Sequence, residues 1–305
     1  MAYTTIDDPS AYFQTAIYTG NGSSNAITFD GNSDMQPDFF WGKCRSTSSG
    51  NHLQNSTTGV KPFLVSNSDA AENTDSNNTD FLSYDSNGFT LGTSYQTDIN
   101  HDTRTYVAWN WKANGGTTTS NGASGDIKAS VTQREDTAKF SICTYTGTGI
   151  NAGQSHRVNH GLGTTPHVMM FKSRGATGDW VIYHHKNTAA PETDYLVLNT
   201  DAATVDSANK FNDTGPNTSY ATIGGDDNIS SNTMVLYSFA EVQGYSKFGS
   251  YTGNGDADGT FVYTGFKPSF IICKATSTDG DWKIFDNKRI SYNGANYRLS
   301  PNTSG

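Results

Sequence analysis

The chain has 305 residues, of which 16% are charged, and its formal net charge is −9. Such an acidic chain, poor in Lys and Arg, lacks the basic patches on which nucleic-acid binding depends, so we expect no nucleic-acid partner. Gly accounts for 31 residues and aromatic side chains for 12%, while Asn, Ser and Thr are abundant. This composition favours short strands joined by polar turns over helices.

The most informative pattern along the chain is an internal repeat. The pentapeptide YTGNG occurs at 18–22 and again at 251–255, and the near copy YTGTG occurs at 145–149. Each copy is followed by a Pro, an apolar run and a Lys six residues after the Pro. These segments are PDFFWGK (37–43), PHVMMFK (166–172) and PSFIICK (268–274). Because the markers recur in the same order, the sequence indicates a duplicated domain.

The elements of one repeat, in chain order, predict strands. AYFQTAIY (11–18) alternates polar and apolar residues and leads into a Gly-rich turn. FFWGK (39–43) is typical of a strand covered on both faces. TYVAWNWK (105–112) places Trp109 and Trp111 on one face, and TMVLYSF (233–239) has Tyr237 and Phe239 at the matching places. We expect at least one residue of each pair to be buried. Short strands at this density predict an all-β fold of tandem, jelly-roll-like β-sandwich repeats.

The intervals between the markers divide the chain into four parts. We predict a β-sandwich at 1–114, a linker rich in Gly, Ser and Thr at 115–137, a second β-sandwich at 138–243 and a partial third repeat at 244–305. Within the linker, we expect 115–130 to be a surface loop. Half a sandwich cannot bury both faces of its sheet. We therefore expect the third repeat to be completed by further residues of a longer polypeptide or by another chain.

Recurring carboxylates are the first candidates for chemistry. Asp179 and Asp281 each precede a Trp in a GDW turn, and paired carboxylates can cleave glycosidic bonds. The first repeat has GNH (50–52) at that place, which lacks both the carboxylate and the Trp. We therefore interpret the two aspartates as turn residues, and we predict no catalytic residue and no enzymatic activity.

Histidines are the second candidates, as metal ligands. His156 lies near His160, and His184 is next to His185. Zinc needs three or four converging ligands, and the third repeat has other residues at the matching places. GNGDADG (253–259) resembles part of a calcium loop but lacks the later carboxylates. We predict neither a metal site nor a cofactor.

Four aromatic residues have the side-chain type that stacks on sugar rings. They are Trp180, Tyr183, Trp282 and Phe285. Their recurrence in the repeat is also what residues of a hydrophobic core would show. The sequence therefore leaves two interpretations open, which are contact with a glycan and packing in the core.

The cysteines and the apolar segments bear on the compartment. Cys44, Cys143 and Cys273 form no disulfide framework, so we expect buried free thiols in a protein made in a reducing cytoplasm. The segment 1–14 has neither the cationic start nor the apolar stretch of a signal peptide. The longest apolar runs, VMMF and FIIC, are too short to span a bilayer, so we predict no membrane insertion.

A set of longer motifs runs through the whole chain except the linker. They are YTTIDDPSAYFQTAIYTGNG, FDGNSDMQPDFFWGK, YVAWNWKA, NHGLGTTPHVMMFK, TGDWVIYH, EVQGYSKFGSYTGNG and DGTFVYTGFKPSFI. In this order they resemble a tandem domain of unknown function in virion structural proteins of tailed phages from marine and freshwater bacteria. Such proteins are commonly described as tail fibre or appendage components. The resemblance identifies no catalytic residue.

This resemblance implies a location in the virion of a bacteriophage, after synthesis in the cytoplasm of the host bacterium. The leading interpretation is a non-enzymatic tail fibre or appendage component that spaces, attaches or presents a host-binding tip. Its partners would be other virion proteins of the tail or capsid. The alternatives are a decoration protein on the capsid surface and a module that binds a host-surface glycan. By analogy with fibre-like appendages, we also predict a homotrimer.

Overall fold

The fold is built almost entirely from β-strands, as the sequence predicts. The structure is a computed structural model that describes residues 3–93, 96–149, 156–225, 230–289 and 297–305. No helix in these ranges is both long and apolar enough to cross a bilayer. The strands group into two sandwiches and one hairpin, which correspond to the three repeats.

The first repeat begins with a 3₁₀ turn at Pro9–Ala11 and continues with strands β1 to β9. Asp8 caps the turn, because its Oδ1 accepts a 2.9 Å hydrogen bond from the Ser10 N–H. The strands are β1 (Phe13–Thr19), β2 (Asn25–Thr28), β3 (Phe39–Cys44), β4 (Asn51–Asn55), β5 (Gly59–Val65), β6 (Asn73–Thr74), β7 (Phe81–Asp85), β8 (Gly88–Leu91) and β9 (Thr105–Trp111).

Two antiparallel sheets form the first sandwich. The larger sheet has the strand order β1-β9-β3-β4-β5-β6, and the smaller sheet has the order β2-β8-β7. Phe40, Phe81 and Phe89 are fully buried between them. Burying one such ring contributes about 2 kcal/mol to stability, so this core holds the two layers together.

The second repeat comprises strands β10 to β20 and one short helix, α1 (Ala208–Phe211). The strands are β10 (Thr119–Asn121), β11 (Ile127–Lys128), β12 (Ser130–Glu135), β13 (Phe140–Thr146), β14 (His156–Asn159), β15 (Val168–Ser173), β16 (Val181–His184), β17 (Asp194–Val197), β18 (Val205–Asp206), β19 (Tyr220–Ile223) and β20 (Thr233–Phe239). The larger sheet has the order β10-β12-β13-β20-β15-β16-β17-β18, and β11-β14-β19 form the second layer.

The two large sheets have the same strand arrangement and the same residue pairing at their centres. β9 lies between β1 and β3, and β20 lies between β13 and β15. Trp41 pairs with Trp109, and Met170 pairs with Tyr237. These are pairs that the aligned motifs place at the same positions of the repeat. β3 therefore corresponds to β15, and β9 corresponds to β20.

The segment predicted as a linker is not a loop throughout. β10, β11 and β12 all lie within 115–137, and β12 pairs with β13 in the large sheet. The Gln133 side chain donates to Ser56 Oγ at 2.8 Å, which ties this segment to the first repeat. The expectation that 115–130 is a loop is therefore wrong. The edge of the sheet offers backbone partners, and these order even a sequence rich in Gly and Thr.

A further hydrophobic core lies between the repeats. The first repeat contributes Trp41 and Trp109, the second contributes Trp180 and Tyr237, and the third contributes Trp282. Trp109 and Tyr237 are fully buried, which confirms the burial predicted for these late strands. The outer faces of the large sheets therefore pack against each other instead of facing solvent.

The third repeat is represented by an antiparallel hairpin of β21 (Phe270–Cys273) and β22 (Lys283–Asp286). Ile284 also forms a bridge with Leu299. Cys44 and Cys143 are buried free thiols, as expected, whereas Cys273 is only partly buried. Cys273 lies on the opposite face of its strand from the shared core, and that face is not covered by a second sheet among the described residues.

Candidate functional site

The Lys that ends each Pro-to-Lys motif forms the first contact of a junction between repeats. In all three junctions, its ammonium group donates a hydrogen bond to a backbone carbonyl of another repeat. The bonds run from Lys172 to Asp69 (3.0 Å), from Lys274 to Asp201 (3.1 Å) and from Lys43 to Ser304 (2.7 Å). The three acceptors are at equivalent positions, each two residues after the Asn of an NSD, NTD or NTS triplet.

Each of these carbonyls accepts a second hydrogen bond from the same repeat that supplies the Lys. The donors are the N–H groups of Gly178 to Asp69 (2.8 Å), Gly280 to Asp201 (2.7 Å) and Ser49 to Ser304 (2.8 Å). A carbonyl oxygen has two lone pairs, so both are used in every junction. The junctions therefore share one two-point geometry.

The third junction makes the arrangement a closed ring. The second repeat binds the first, the third binds the second, and Lys43 and Ser49 bring the first repeat back to the third. In a linear array, each repeat contacts only its neighbours along the chain. Equivalent contacts that close after three units define an approximate three-fold arrangement within one chain.

Indole groups add a third contact at two of the junctions. Trp180 Nε1 donates to the Val65 carbonyl at 3.0 Å, and Trp282 Nε1 donates to the Val197 carbonyl at 2.8 Å. In the first repeat, Asn51 takes this position and its Nδ2 donates to the carbonyl of a residue near the C-terminus. That bond, Asn51 to Thr303, measures 2.9 Å. The GNH segment thus keeps a donor without keeping the Trp.

The aspartates of the GDW turns bind the triplet asparagines of their own repeats. In the second repeat, Asn199 Oδ1 accepts from the Trp180 N–H at 2.8 Å, and Asn199 Nδ2 donates to Asp179 at 2.8 Å. The third repeat has the same pair of bonds. They join Asn302 to Trp282 (3.0 Å) and to Asp281 (2.8 Å). Asp179 and Asp281 therefore position the turns that carry the junction donors.

Burial lowers the pKa values of the lysines at two of the junctions. Lys43 and Lys172 are almost fully buried. Burial lowers the pKa of Lys43, and it lowers the pKa of Lys172 to about 8. Backbone carbonyls are the hydrogen-bond acceptors of both ammonium groups, so carbonyl dipoles offset part of the cost of desolvation. The junctions are suited to cohesion between the repeats.

Of the two interpretations of the four aromatic residues, contact with a glycan is wrong for three of them. Trp180 and Trp282 lie in the core between the repeats, and Tyr183 lies in the core of the second sandwich. A buried ring presents no face to a sugar, so core packing describes these residues. Phe285 in β22 is partly exposed and lies on the other face of its strand from Ile284.

The histidines considered as metal ligands, for which the sequence predicts no metal site, lie in different surroundings. His160 is buried, and its ring contacts the Asn217 carbonyl at 3.0 Å. His184 and His185 have ring centroids 5.5 Å apart. Within the described ranges, no three His, Cys, Asp or Glu side chains form a group that could hold a metal ion.

Sequence reasoning missed the residues that build the junctions. The pattern identifies the three Lys as markers of the repeat, but it does not show that they bind carbonyl groups of another repeat or that the triplet asparagines bind the GDW turns. Their recurrence at matching places was the available signal. Asn51 could not be found by recurrence, because the other two repeats have a Trp at its position.

The fold and the junctions define a class, namely an all-β chain whose three repeats close into one ring. The chain belongs to the family described as a domain of unknown function (DUF7483), whose model matches residues 8–305. No curated protein and no solved structure matches the chain.

Proposed function

We propose that the chain is a non-enzymatic structural module of a bacteriophage virion, in a tail fibre or appendage that spaces, attaches or presents a host-binding tip. The closed ring is the observation that carries this proposal. No repeat can leave the ring without breaking two junctions, and each junction is anchored by a Lys and a backbone amide. Such cohesion suits a spacer on an exposed appendage.

The virion part of the proposal is supported by the motifs that resemble phage appendage domains. Its partners would be other proteins of the tail or capsid, and its synthesis would take place in the cytoplasm of the host bacterium. A homotrimer stays a prediction. Because the three-fold relation among the described residues lies within one chain, a trimer would need an interface on the outside of the ring.

Imaging of intact particles tests the location. An antibody fragment raised against the purified chain is bound to particles, which are then examined by cryo-electron microscopy. We expect label on the tail or its appendages. Label over the capsomers would favour a capsid decoration protein instead, and particles without label would contradict a role in the virion.

Assays on the purified chain test its lack of activity. The chain is applied to an array of host-surface glycans and incubated separately with host envelope polysaccharide. We expect neither binding nor cleavage. Specific binding to one glycan class would favour a host-recognition module, and release of oligosaccharides would contradict a non-enzymatic role.

A further inference from the structure

The third repeat lacks, among the described residues, the strand at the centre of the other two large sheets. β9 pairs with β1 and β3, and β20 pairs with β13 and β15. β21 pairs with β22 on one side only. The segment 246–252, which corresponds to β1 and β13, is not a strand. One edge of β21 is therefore open, and an open edge is a template for another strand.

Both faces of β21 expose apolar side chains beside this edge. Ile272 is 37% exposed, whereas its counterpart Trp41 is 3% exposed. Ile271 is 43% exposed, whereas its counterpart Phe40 is fully buried. Exposed apolar side chains on an unpaired edge strand favour pairing with another strand. In the first repeat, the central strand and the second sheet cover the same positions.

A side chain of the second repeat also corresponds to residues that bind a central strand. Asn55 Nδ2 donates to the hydroxyl group of Tyr237 at 3.0 Å, and Trp109 Nε1 donates to Asp286 Oδ2 at 3.1 Å. Asn55 in β4 and Asp286 in β22 hold equivalent positions in their repeats. Each of them binds an aromatic residue on the central strand of another repeat. His184 occupies that position in β16. The approximate three-fold arrangement therefore assigns it a partner on a central strand of the third repeat.

We propose that the open edge of β21 is a docking site for a polypeptide strand with the alternating pattern of β9 and β20. That pattern is Thr-x-Val-x-aromatic-x-aromatic. The register follows from the first repeat, where Trp109 lies opposite Trp41. A bound strand places its first aromatic residue opposite Ile272 and directs it toward His184. Main-chain hydrogen bonds supply affinity, and the alternating side chains supply specificity.

A second copy of the described chain is a poor donor for this site. Both of its strands with the required pattern, β9 and β20, are already paired on two sides. Donating either one would remove the fully buried Trp109 or Tyr237 from the core between the repeats. The occupant we infer is a strand of this pattern that has no sheet of its own. This inference does not depend on the proposed place in a virion.

The orientation of the β21 amides predicts which of them a bound strand would protect from hydrogen exchange. At the end of the β15–β20 pair, the Arg174 N–H donates to the Thr233 carbonyl at 2.8 Å. Amides of alternate residues point to the same edge of a strand, so the Met170 amide also points toward β20. Ile272 is the counterpart of Met170. The amides of Ile272 and Phe270 therefore face the open edge.

The experiment uses the full 305-residue chain and a fluorescent peptide with the sequence 231–240, SNTMVLYSFA, carrying a polar tag for solubility. Fluorescence anisotropy measures binding, and hydrogen exchange measures protection of individual amides. The control peptide has the same composition in scrambled order. We expect the native order to bind more tightly and to slow exchange at Phe270 and Ile272.

Two matched variants locate the site. Ile272→Asp places a charge at the open edge, and Ile17→Asp places the same charge at an exposed position of β1, which is also an edge strand. We expect Ile272→Asp to weaken peptide binding about tenfold or more, because a buried apolar contact is lost. Ile17→Asp should leave peptide binding unchanged. An unchanged affinity of this variant for the peptide would also show that a charge on an edge strand does not disrupt the fold.

Three outcomes would overturn the proposal. The first is equal binding of the native and scrambled peptides. The second is protection at the edge of β1 while Phe270 and Ile272 exchange as before. The third is self-association of the chain without peptide that Ile272→Asp abolishes, because the occupant would then be a second copy.

Discussion

The ammonium group of Lys43 donates a 2.7 Å hydrogen bond to the carbonyl oxygen of Ser304, which lies 261 residues further along the chain. This contact repeats, between the first and third repeats, the bond that Lys172 makes to Asp69. It joins the beginning of the described fold to its end. The stability of the ring therefore depends on a bond that no single repeat contains.

Removal of the buried Lys43 at the closing junction should destabilise the chain more than removal of its partly exposed counterpart, Lys274. Lys43→Ala deletes two charge-assisted hydrogen bonds and leaves a space in a buried site, so we expect a loss of about 2–4 kcal/mol. Lys274→Ala deletes bonds at an exposed site, and we expect a loss below about 1 kcal/mol. Urea denaturation measures both. Equal losses would contradict a special role for the closing junction.

Trp180 should contribute mainly by packing and secondarily by its N–H group. Trp180→Ala should cost about 3–5 kcal/mol, because the ring is fully buried between repeats. Trp180→Phe keeps most of the apolar volume but removes the donor to the Val65 carbonyl, and should cost about 1–3 kcal/mol. Thermal and urea denaturation give the values. Tyr297→Ala, at a side chain that is 70% exposed, is the control and should change stability by less than about 0.5 kcal/mol.

Stability should fall on acidification, partly because of His52. Burial lowers the pKa of His52 to about 4 in the folded chain, whereas an unfolded His has a pKa of about 6.5. Between these values the unfolded chain binds more protons, so the free energy of unfolding decreases as the pH falls, by up to about 3 kcal/mol. Denaturation curves across this pH range test the slope. In His52→Gln the slope should be shallower, and an unchanged slope would show that His52 is not its source.

Two glycines at matching places should tolerate no side chain. A Cβ atom on Gly92 would lie 1.9 Å from the Thr79 carbonyl oxygen, and one on Gly224 would lie 2.0 Å from the Asn209 carbonyl oxygen. We expect Gly92→Ala and Gly224→Ala each to cost about 2 kcal/mol or more, because backbone must move. Gly122→Ala, where nothing lies within 4 Å, is the control and should have little effect. Circular dichroism during heating measures all three.

Much of the fold could be predicted because the three repeats of the sequence can be compared with one another. The order of the Pro, apolar run and Lys identifies β3, β15 and β21 as one element in three copies. Alternating residues predict the sandwiches, and the position of Trp109 and Tyr237 predicts their burial. These features arise from local periodicity, which the sequence contains directly.

The ring could not be predicted, because its acceptors are main-chain carbonyls. A carbonyl of Asp69 or Ser304 has no side-chain identity that a sequence could display. Burial of Trp180 could not be predicted for a related reason. Its aromatic side chain is of a type that stacks on sugars, and the sequence around it does not show that another repeat buries it. The marker intervals and the composition predict a linker at 115–137, although pairing of β12 with the neighbouring strand β13 decides the structure of its last part.

The closing junction also constrains the order in which the chain can fold. The first two repeats can pair as soon as the residues up to Phe239 are available, whereas the partner of Lys43 is made 261 residues after Lys43. During synthesis, the Lys43 ammonium group and the Asn51 amide therefore have only their acceptors within the first repeat, Ser49 and Asn67, until residues 302–304 are made. Loop closure over such a separation is slow compared with formation of local hairpins. We therefore expect ring closure to follow the pairing of the first two repeats, and we expect the intermediate before closure to be exposed to misassembly between neighbouring chains.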